Sequence, residues 1–274
     1  MKSKIKEYIK RIVPARWLEF FSHKAITITK IPNKGSIVSD LFILRIENGW
    51  ETHFEFLQFD SLLNPSRQIS STNVFFYFYS KDGEYLKKKE ISIPEKIKTT
   101  ININKIASEF DLKEDCLFAV FHPQKKYWIN GYDSFISERG YIGYSNIKKG
   151  GIRGFVHGNH DAIALSKKNK FQLLANYSFF KKQYYLQHLL ESKFTYELFL
   201  VNPSSSKQMA TITETFDNSL KKTRVIIPAG GMYKYFKPVD KKKSNSNIII
   251  ETKLYLARPV VFKIMSTSFD VFHG

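Results

Sequence analysis

The densest group of chemically capable side chains in the 274-residue chain is Val156-His157-Gly158-Asn159-His160-Asp161. His157 and His160 offer imidazole nitrogens and Asp161 a carboxylate, donor types that zinc and similar ions accept. The same groups can carry protons in acid/base catalysis. His53, His122 and His273 are further candidates of this kind. His273 follows Phe272 at the end of an expected final strand, a place from which it can reach a seam between two units. Weak catalytic candidates are therefore His157, His160, Asp161 and His273. His157 and His160 are also weak metal candidates, but two nearby histidines do not define four ligands, so no metal or other cofactor is expected. The plainer expectation makes His157 and Asn159 polar turn residues, since Asn and Asp side chains hydrogen-bond their own backbone in turns.

Gly158-Asn159-His160-Asp161 resembles one signature block of the calcineurin-like metallophosphoesterases. The resemblance implies a metal-ligating Asn159 and a phosphate-stabilising His160, and it covers four residues. The family also carries an Asp-x-His block and a Gly-Asp block, which hold the remaining metal ligands. Neither occurs between Met1 and Phe155, and a two-metal site is not built from one block. The family's α/β sandwich also departs from the all-β pattern described below.

Other catalytic signatures are absent. Cys116 is the single cysteine, which excludes an internal disulfide and a Cys-rich zinc module. It opens the apolar run Cys116–Phe121 and is expected to act there as a small buried hydrophobe. The sequence contains no Gly-x-Ser-x-Gly elbow, no Gly-x-x-x-x-Gly-Lys loop and no Gly-x-Gly-x-x-Gly turn. Glu47, Glu51, Glu55 and Asp60 recur along expected strands, where alternation assigns them to the solvent face.

Aromatic residues form a second class of candidate. Tyr127, Trp128, Tyr132, Tyr141, Tyr144, Tyr233 and Tyr235 accompany Lys125, Lys126, Arg139 and Lys234. Exposed rings stack on sugars or bases, and neighbouring cations meet phosphates or acidic sugars. The expected ligand-binding set is Tyr127, Trp128, Tyr132, Arg139, Tyr141 and Asn159.

The elements that must position these groups read as β-structure. Ala25–Lys30, Leu41–Glu47, Thr52–Phe59 and Asn73–Ser80 are rich in Ile, Phe, Tyr and Thr, and Phe54 and Phe56 share one face by period-two alternation. Asp82-Gly83 between apolar runs signals a hairpin. Lys105–Leu112 reads as a short helix, and Phe171–Glu191 as strands. Phe76–Pro94 aligns without a gap with Ala210–Pro228 at an offset of 134, matching Leu86 with Leu220, Lys87-Lys88 with Lys221-Lys222 and Ile93-Pro94 with Ile227-Pro228. Leu117–Pro123 aligns with Lys253–Pro259 at an offset of 136. Both offsets are close to half the chain, which points to duplication of one β unit.

The expected architecture is all-β: two tandem antiparallel β-sandwiches, Ig-like or jelly-roll-related, behind an N-terminal amphipathic helix. The expected boundaries are 1–23 for the basic segment, 24–147 for the first sandwich, 148–154 for a Gly-rich linker and 155–274 for the second sandwich. In the first segment, Ile5, Tyr8, Ile9, Ile12 and Val13 fall on one helical face. Lys2, Lys6, Lys10, Arg11, Arg16 and Trp17 are the expected contacts to a membrane or polyanion. Packing of this helix on its own domain, or in a partner's groove, is the alternative. Similar basic starts occur on enzymes of envelope glycan assembly.

Lys and Arg number 43 and Asp and Glu 25, so the formal charge is 43 − 25 = +18. With 43% hydrophobic residues the chain has material for a core, which excludes global disorder. No stretch approaches the ~18 apolar residues of a membrane-spanning helix. A lone cysteine and no secretory signal pattern suggest the cytoplasm, with peripheral membrane attachment. The leading expectation is a non-catalytic module docking to an anionic membrane surface, an acidic glycan or an envelope assembly, in a setting such as surface-glycan biosynthesis. A protein partner or homo-oligomer is a further expectation. The alternatives are an enzyme with a His/Asp site at the inter-domain seam and a nucleic-acid-binding protein. Nucleic acid is the less favoured partner because no helix-turn-helix, zinc finger or arginine-rich segment is present.

Overall fold

Stretches dense in Phe, Tyr, Val, Ile and Thr become strands because branched and aromatic side chains pack well on a pleated surface. The computed structural model describes residues 37–57, 71–121, 136–138, 141–157, 161–165, 171–173, 177–216, 219–240, 244–254, 256 and 259–274. The first half contains β1 (Ile37–Asp40), β2 (Phe42–Leu44), a 3-10 turn at Glu47–Gly49, β3 (Trp50–Leu57), β4 (Thr72–Tyr79), β5 (Tyr85–Ile93), β6 (Lys98–Asn102), α1 (Ile103–Ser108), β7 (Cys116–Phe121), β8 (Ile136–Glu138), β9 (Tyr141–Asn146) and β10 (Gly154–His157). There follow β11 (Asp161–Leu165), β12 (Phe171–Leu173), β13 (Tyr177–Tyr185), β14 (Thr195–Val201), β15 (Gln208–Phe216), β16 (Ser219–Ile227), β17 (Met232–Lys237), β18 (Asn247–Leu254), β19 (Val260–Ile264) and β20 (Phe269–His273). The expected amphipathic helix and the expected strand Ala25–Lys30 lie outside the described residues.

The strands form five four-stranded sheets: sheet I, β2-β7-β4-β5; sheet II, β10-β9-β3-β6; sheet III, β13-β18-β15-β16; sheet IV, β17-β14-β19-β20; and sheet V, β12-β11-β1-β8. Sheets I to IV are antiparallel throughout. Sheet V contains one parallel pair, β1 with β8. The orders of sheets I and II recur in sheets III and IV when β2 to β7 are read as β13 to β18, and β9 and β10 as β19 and β20. In this correspondence β18 ends at Leu254, so Lys253–Pro259 falls mostly beyond the strand equivalent to Cys116–Phe121. The offset of 136 thus joined similar residues in unequal places. Residues 148–154, expected to be a linker, instead connect β9 to β10, which are neighbours in sheet II. A Gly-rich basic turn has the same composition whether it links domains or closes a hairpin.

Side chains of sheets I and II meet in the first core. Phe54 of β3 lies 5.1 Å from Phe42, 6.0 Å from Phe76 and 5.9 Å from Phe118, all edge-on. Leu198, Leu200, Ile212, Val225 and Ile250 lie in the second core, between sheets III and IV. The other face of sheet IV turns towards the first half, so Phe199, Val201, Val260 and Phe262 belong to the first core. Trp50 packs edge-on against Phe262 at 5.1 Å and Phe269 at 4.7 Å.

A buried charge network crosses this seam. Arg45, fully buried, reaches Asp115 through Nε at 2.9 Å and Glu197 through Nη2 at 2.6 Å. Its guanidinium carbon lies 4.6, 4.9 and 4.5 Å from the ring centroids of Trp50, Phe199 and Phe262. Lys234 of β17 adds contacts to Glu47 at 3.1 Å and Asp115 at 3.4 Å. Arginine suits such a place because its planar fork makes several directed bonds while its faces stack on rings.

Candidate functional site

Three members of the sequence-selected set, Tyr141, His157 and His273, meet where β10 runs beside β20. Tyr141 and His157 are ladder partners whose ring centroids lie 4.4 Å apart. His273 places Nε2 3.1 Å from the His157 carbonyl oxygen. That oxygen accepts, so Nε2 carries the proton and is not the nitrogen available to a metal. Asp161 opens β11 and stands opposite Asp40 in the ladder. His160, Asn159, Tyr127, Trp128, Tyr132 and Arg139 lie outside the described residues, as do Lys2, Lys6, Lys10, Arg11, Arg16 and Trp17. Among the described residues, no group of three or more His, Cys, Asp or Glu is arranged to hold a metal ion. Cys116 is buried, and burial pushes its thiol up to about 12, which keeps it protonated and unreactive near neutrality. Tyr144 and Tyr235, grouped with the exposed aromatics by sequence, are core residues.

Beside Tyr141 the structure assembles a cluster that the sequence does not reveal. Alternation along β3 sends Thr52, Phe54 and Phe56 to one face and Glu51, His53 and Glu55 to the other. Both faces are largely buried: His53 and Glu55 are covered, contrary to the expected solvent face for Glu55. Glu55 tolerates burial because Thr100 donates to Oε1 at 2.8 Å and Lys98 pairs with Oε2 at 2.8 Å. Burial pulls its pKa upward, but the bonds from Lys98 and Thr100 outweigh this and hold it below the usual carboxylate range. Burial, with Arg153 nearby, lowers the pKa of His53. Gly143 leaves room for the Phe155 ring across this face, since a Cβ there would lie 2.6 Å from Phe155 Cε1.

Ser145, His53 and Glu51 supply the residue types of an acyl-transfer relay but not its wiring. Ser145 Oγ is 3.4 Å and Glu51 Oε2 is 3.6 Å from the same atom, His53 Nε2. A relay needs the carboxylate on one ring nitrogen and the nucleophile on the other. This arrangement does not activate Ser145. The cluster becomes visible only once β9 is known to pair with β3.

The most distinctive surface is the outer face of sheet III. Along edge strand β16, Val225 and Ile227 enter the core while Leu220, Lys222, Arg224 and Ile226 stand exposed. The ladders set Arg224 opposite Thr211 and Thr211 opposite Glu251. The next row sets Lys222 opposite Thr213 and Thr213 opposite Ile249, with Tyr185 beyond. Met209 stands opposite Ile226. Met209 is 69% exposed, Leu220 65%, Tyr185 64% and Ile226 57%, values that mark a face rather than scattered residues. Its charge is one-sided. Lys181, Lys222, Arg224 and Lys253 share it with Glu251, which Lys181 engages at 2.9 Å. Hydrogen bonds from Lys181 and Gln183 hold Glu251 below the usual carboxylate range. Lys253 sits 5.5 Å from the Phe179 ring centroid. The corresponding face of sheet I is covered along β4 and β7, where Tyr77, Tyr79, Leu117, Ala119 and Phe121 are buried, while Lys88 and Glu90 of β5 stay exposed. Strand β1 of sheet V packs on β7, with the Val120 N–H donating to Ser39 Oγ at 2.9 Å.

Set against known proteins, the chain matches no family model and no curated protein.

Proposed function

We propose that this is a non-catalytic binding protein that docks to an anionic surface or polymer through the outer face of sheet III. The observation that carries this reading is the interleaving of Lys222, Arg224 and Lys253 with exposed apolar side chains on a face whose Glu251 is already engaged by Lys181. The formal charge of +18 steers an anionic partner to the molecule, and the local cations orient it. The membrane surface, an acidic glycan and an envelope assembly all supply such a partner, and surface-glycan biosynthesis is one setting in which they coincide. No helix among the described residues is long and apolar enough to cross a membrane. Attachment at a membrane periphery is the localisation this reading favours.

The matched strand orders of sheets I and II with III and IV support reading the chain as two tandem sandwiches. In that reading the interface of sheet IV leaves sheet III as the outward surface of the second unit. The test uses dextran sulfate beads eluted with increasing salt. The full chain elutes late, and Lys222→Gln/Arg224→Gln elutes at distinctly lower salt, because each phosphate- or sulfate-like contact adds to the salt dependence. Co-elution of the variant with the parent overturns the assignment of this face.

A further inference from the structure

Resting on that reading, we infer that the partner of the sheet III face is a lipid bilayer with anionic headgroups, and that Met209, Leu220 and Ile226 enter its interface. Cations suffice to hold a hydrophilic polyanion, whereas a bilayer interface also covers the aliphatic side chains exposed beside them. Here the two types alternate in a defined order. Along β16 the outward residues run Leu220, Lys222, Arg224, Ile226, so two aliphatic side chains flank two cations. At about 3.3 Å per residue the aliphatic pair is separated by roughly 20 Å, with the cations between them. Met209 widens the apolar end beside Ile226. Tyr185 lies across the sheet in the row of Lys222, where an amphipathic ring suits the headgroup level.

A strand edge of this composition can lie along the surface, with lysine and arginine stems extended to the headgroups. Charge selects this occupant over a second copy of the chain. Two such faces brought together would oppose Lys222, Arg224 and Lys253 to themselves, with Glu251 already paired to Lys181. An anionic bilayer instead complements the cations and covers the aliphatic groups in one step.

The experiment compares the full chain with Met209→Thr/Ile226→Thr and with Lys222→Gln/Arg224→Gln. The probes are vesicles of phosphatidylcholine, vesicles of phosphatidylcholine mixed with phosphatidylglycerol, and dextran sulfate beads. Threonine retains strand preference at exposed positions, and circular dichroism checks the fold. The parent floats with the mixed vesicles. The threonine variant partitions about tenfold more weakly, as partial withdrawal of two aliphatic side chains requires, but elutes from dextran sulfate at unchanged salt. The glutamine variant loses about 25-fold on mixed vesicles, at about fivefold per removed cation. Vesicle binding that ignores the threonine substitutions, with dextran sulfate binding intact, overturns the bilayer inference and leaves the anionic-partner reading standing. Failure of the parent on both probes removes that reading and the inference together. A concentration-dependent dimer abolished by the threonine variant, without vesicle binding, assigns the face to a second copy and overturns the inference.

Discussion

Replacing Arg45 by methionine is the sharpest test of how the two halves are held. Methionine keeps an unbranched apolar stem among Trp50, Phe199 and Phe262 but removes the charge that Asp115 and Glu197 share. Lys234 remains 3.4 Å from Asp115, so Asp115 keeps a partial counter-charge and the larger penalty falls on Glu197. Removing one member of a buried ion pair costs about 3–5 kcal/mol, because the remaining charge is left desolvated. Loss of the three ring contacts acts in the same direction and is not additive with it. The expected loss is therefore about 3–5 kcal/mol. Urea unfolding followed by circular dichroism reads this loss. The compensated variant Arg45→Met/Asp115→Asn/Glu197→Gln should recover most of the loss, because no buried charge is then stranded. An Arg45→Met midpoint within about 1 kcal/mol of the parent, at unchanged slope, would refute the claim that the network is desolvated and joins sheet IV to the first core.

Two further outcomes follow from the geometry. The folded pKa of His53 lies below its ordinary 6.5, so below that pH the unfolded chain binds more protons than the native one. Stability should be level above about pH 6.5 and fall as pH drops below it. Denaturation midpoints from pH 7 to 5.5 should show this slope and His53→Gln should flatten it; a slope unchanged by the substitution would contradict it. Gly83 has φ of +86°, and a Cβ there would stand 1.9 Å from the Ala229 carbonyl oxygen. Gly83→Ala should therefore cost well over the ~1 kcal/mol of a left-handed alanine, seen as a lowered thermal midpoint, and a midpoint within error of the parent would show that the turns at Gly83 and Ala229 are not in contact.

The sheets differ in what their faces do. One face of sheet IV packs on the first core through Phe199 and Phe262, and β1 of sheet V contacts β7 of sheet I. Sheet III keeps its cationic and apolar face open. Matched strand orders thus serve different ends, because burial of a sheet face depends on what is packed against it and not on strand order.

Much of the secondary structure is legible in the sequence alone. The run Cys116–Phe121 is a buried strand, Asp82-Gly83 lies in the turn between β4 and β5, and Pro94 and Pro228 follow the last residues of β5 and β16. These signals are local. Alternation, φ preference and a missing N–H act within a few residues. The open face of sheet III was not legible: Lys221-Lys222 entered only as part of the repeat, and the separation of Lys222 and Arg224 from the core-facing Val225 and Ile227 required the strand assignment. Of the carboxylates expected on the solvent face, Glu55 is instead buried, because alternation says which residues share a face and not whether that face is covered. Arg45 carried no signal at all, being one basic residue in an apolar stretch. Its partners are Asp115, on the approach to β7, and Glu197, on β14. Backbone stereochemistry lets the sequence write its strands locally, whereas the choice of which charges to bury together belongs to contacts between distant segments, which only the folded chain brings within bonding distance.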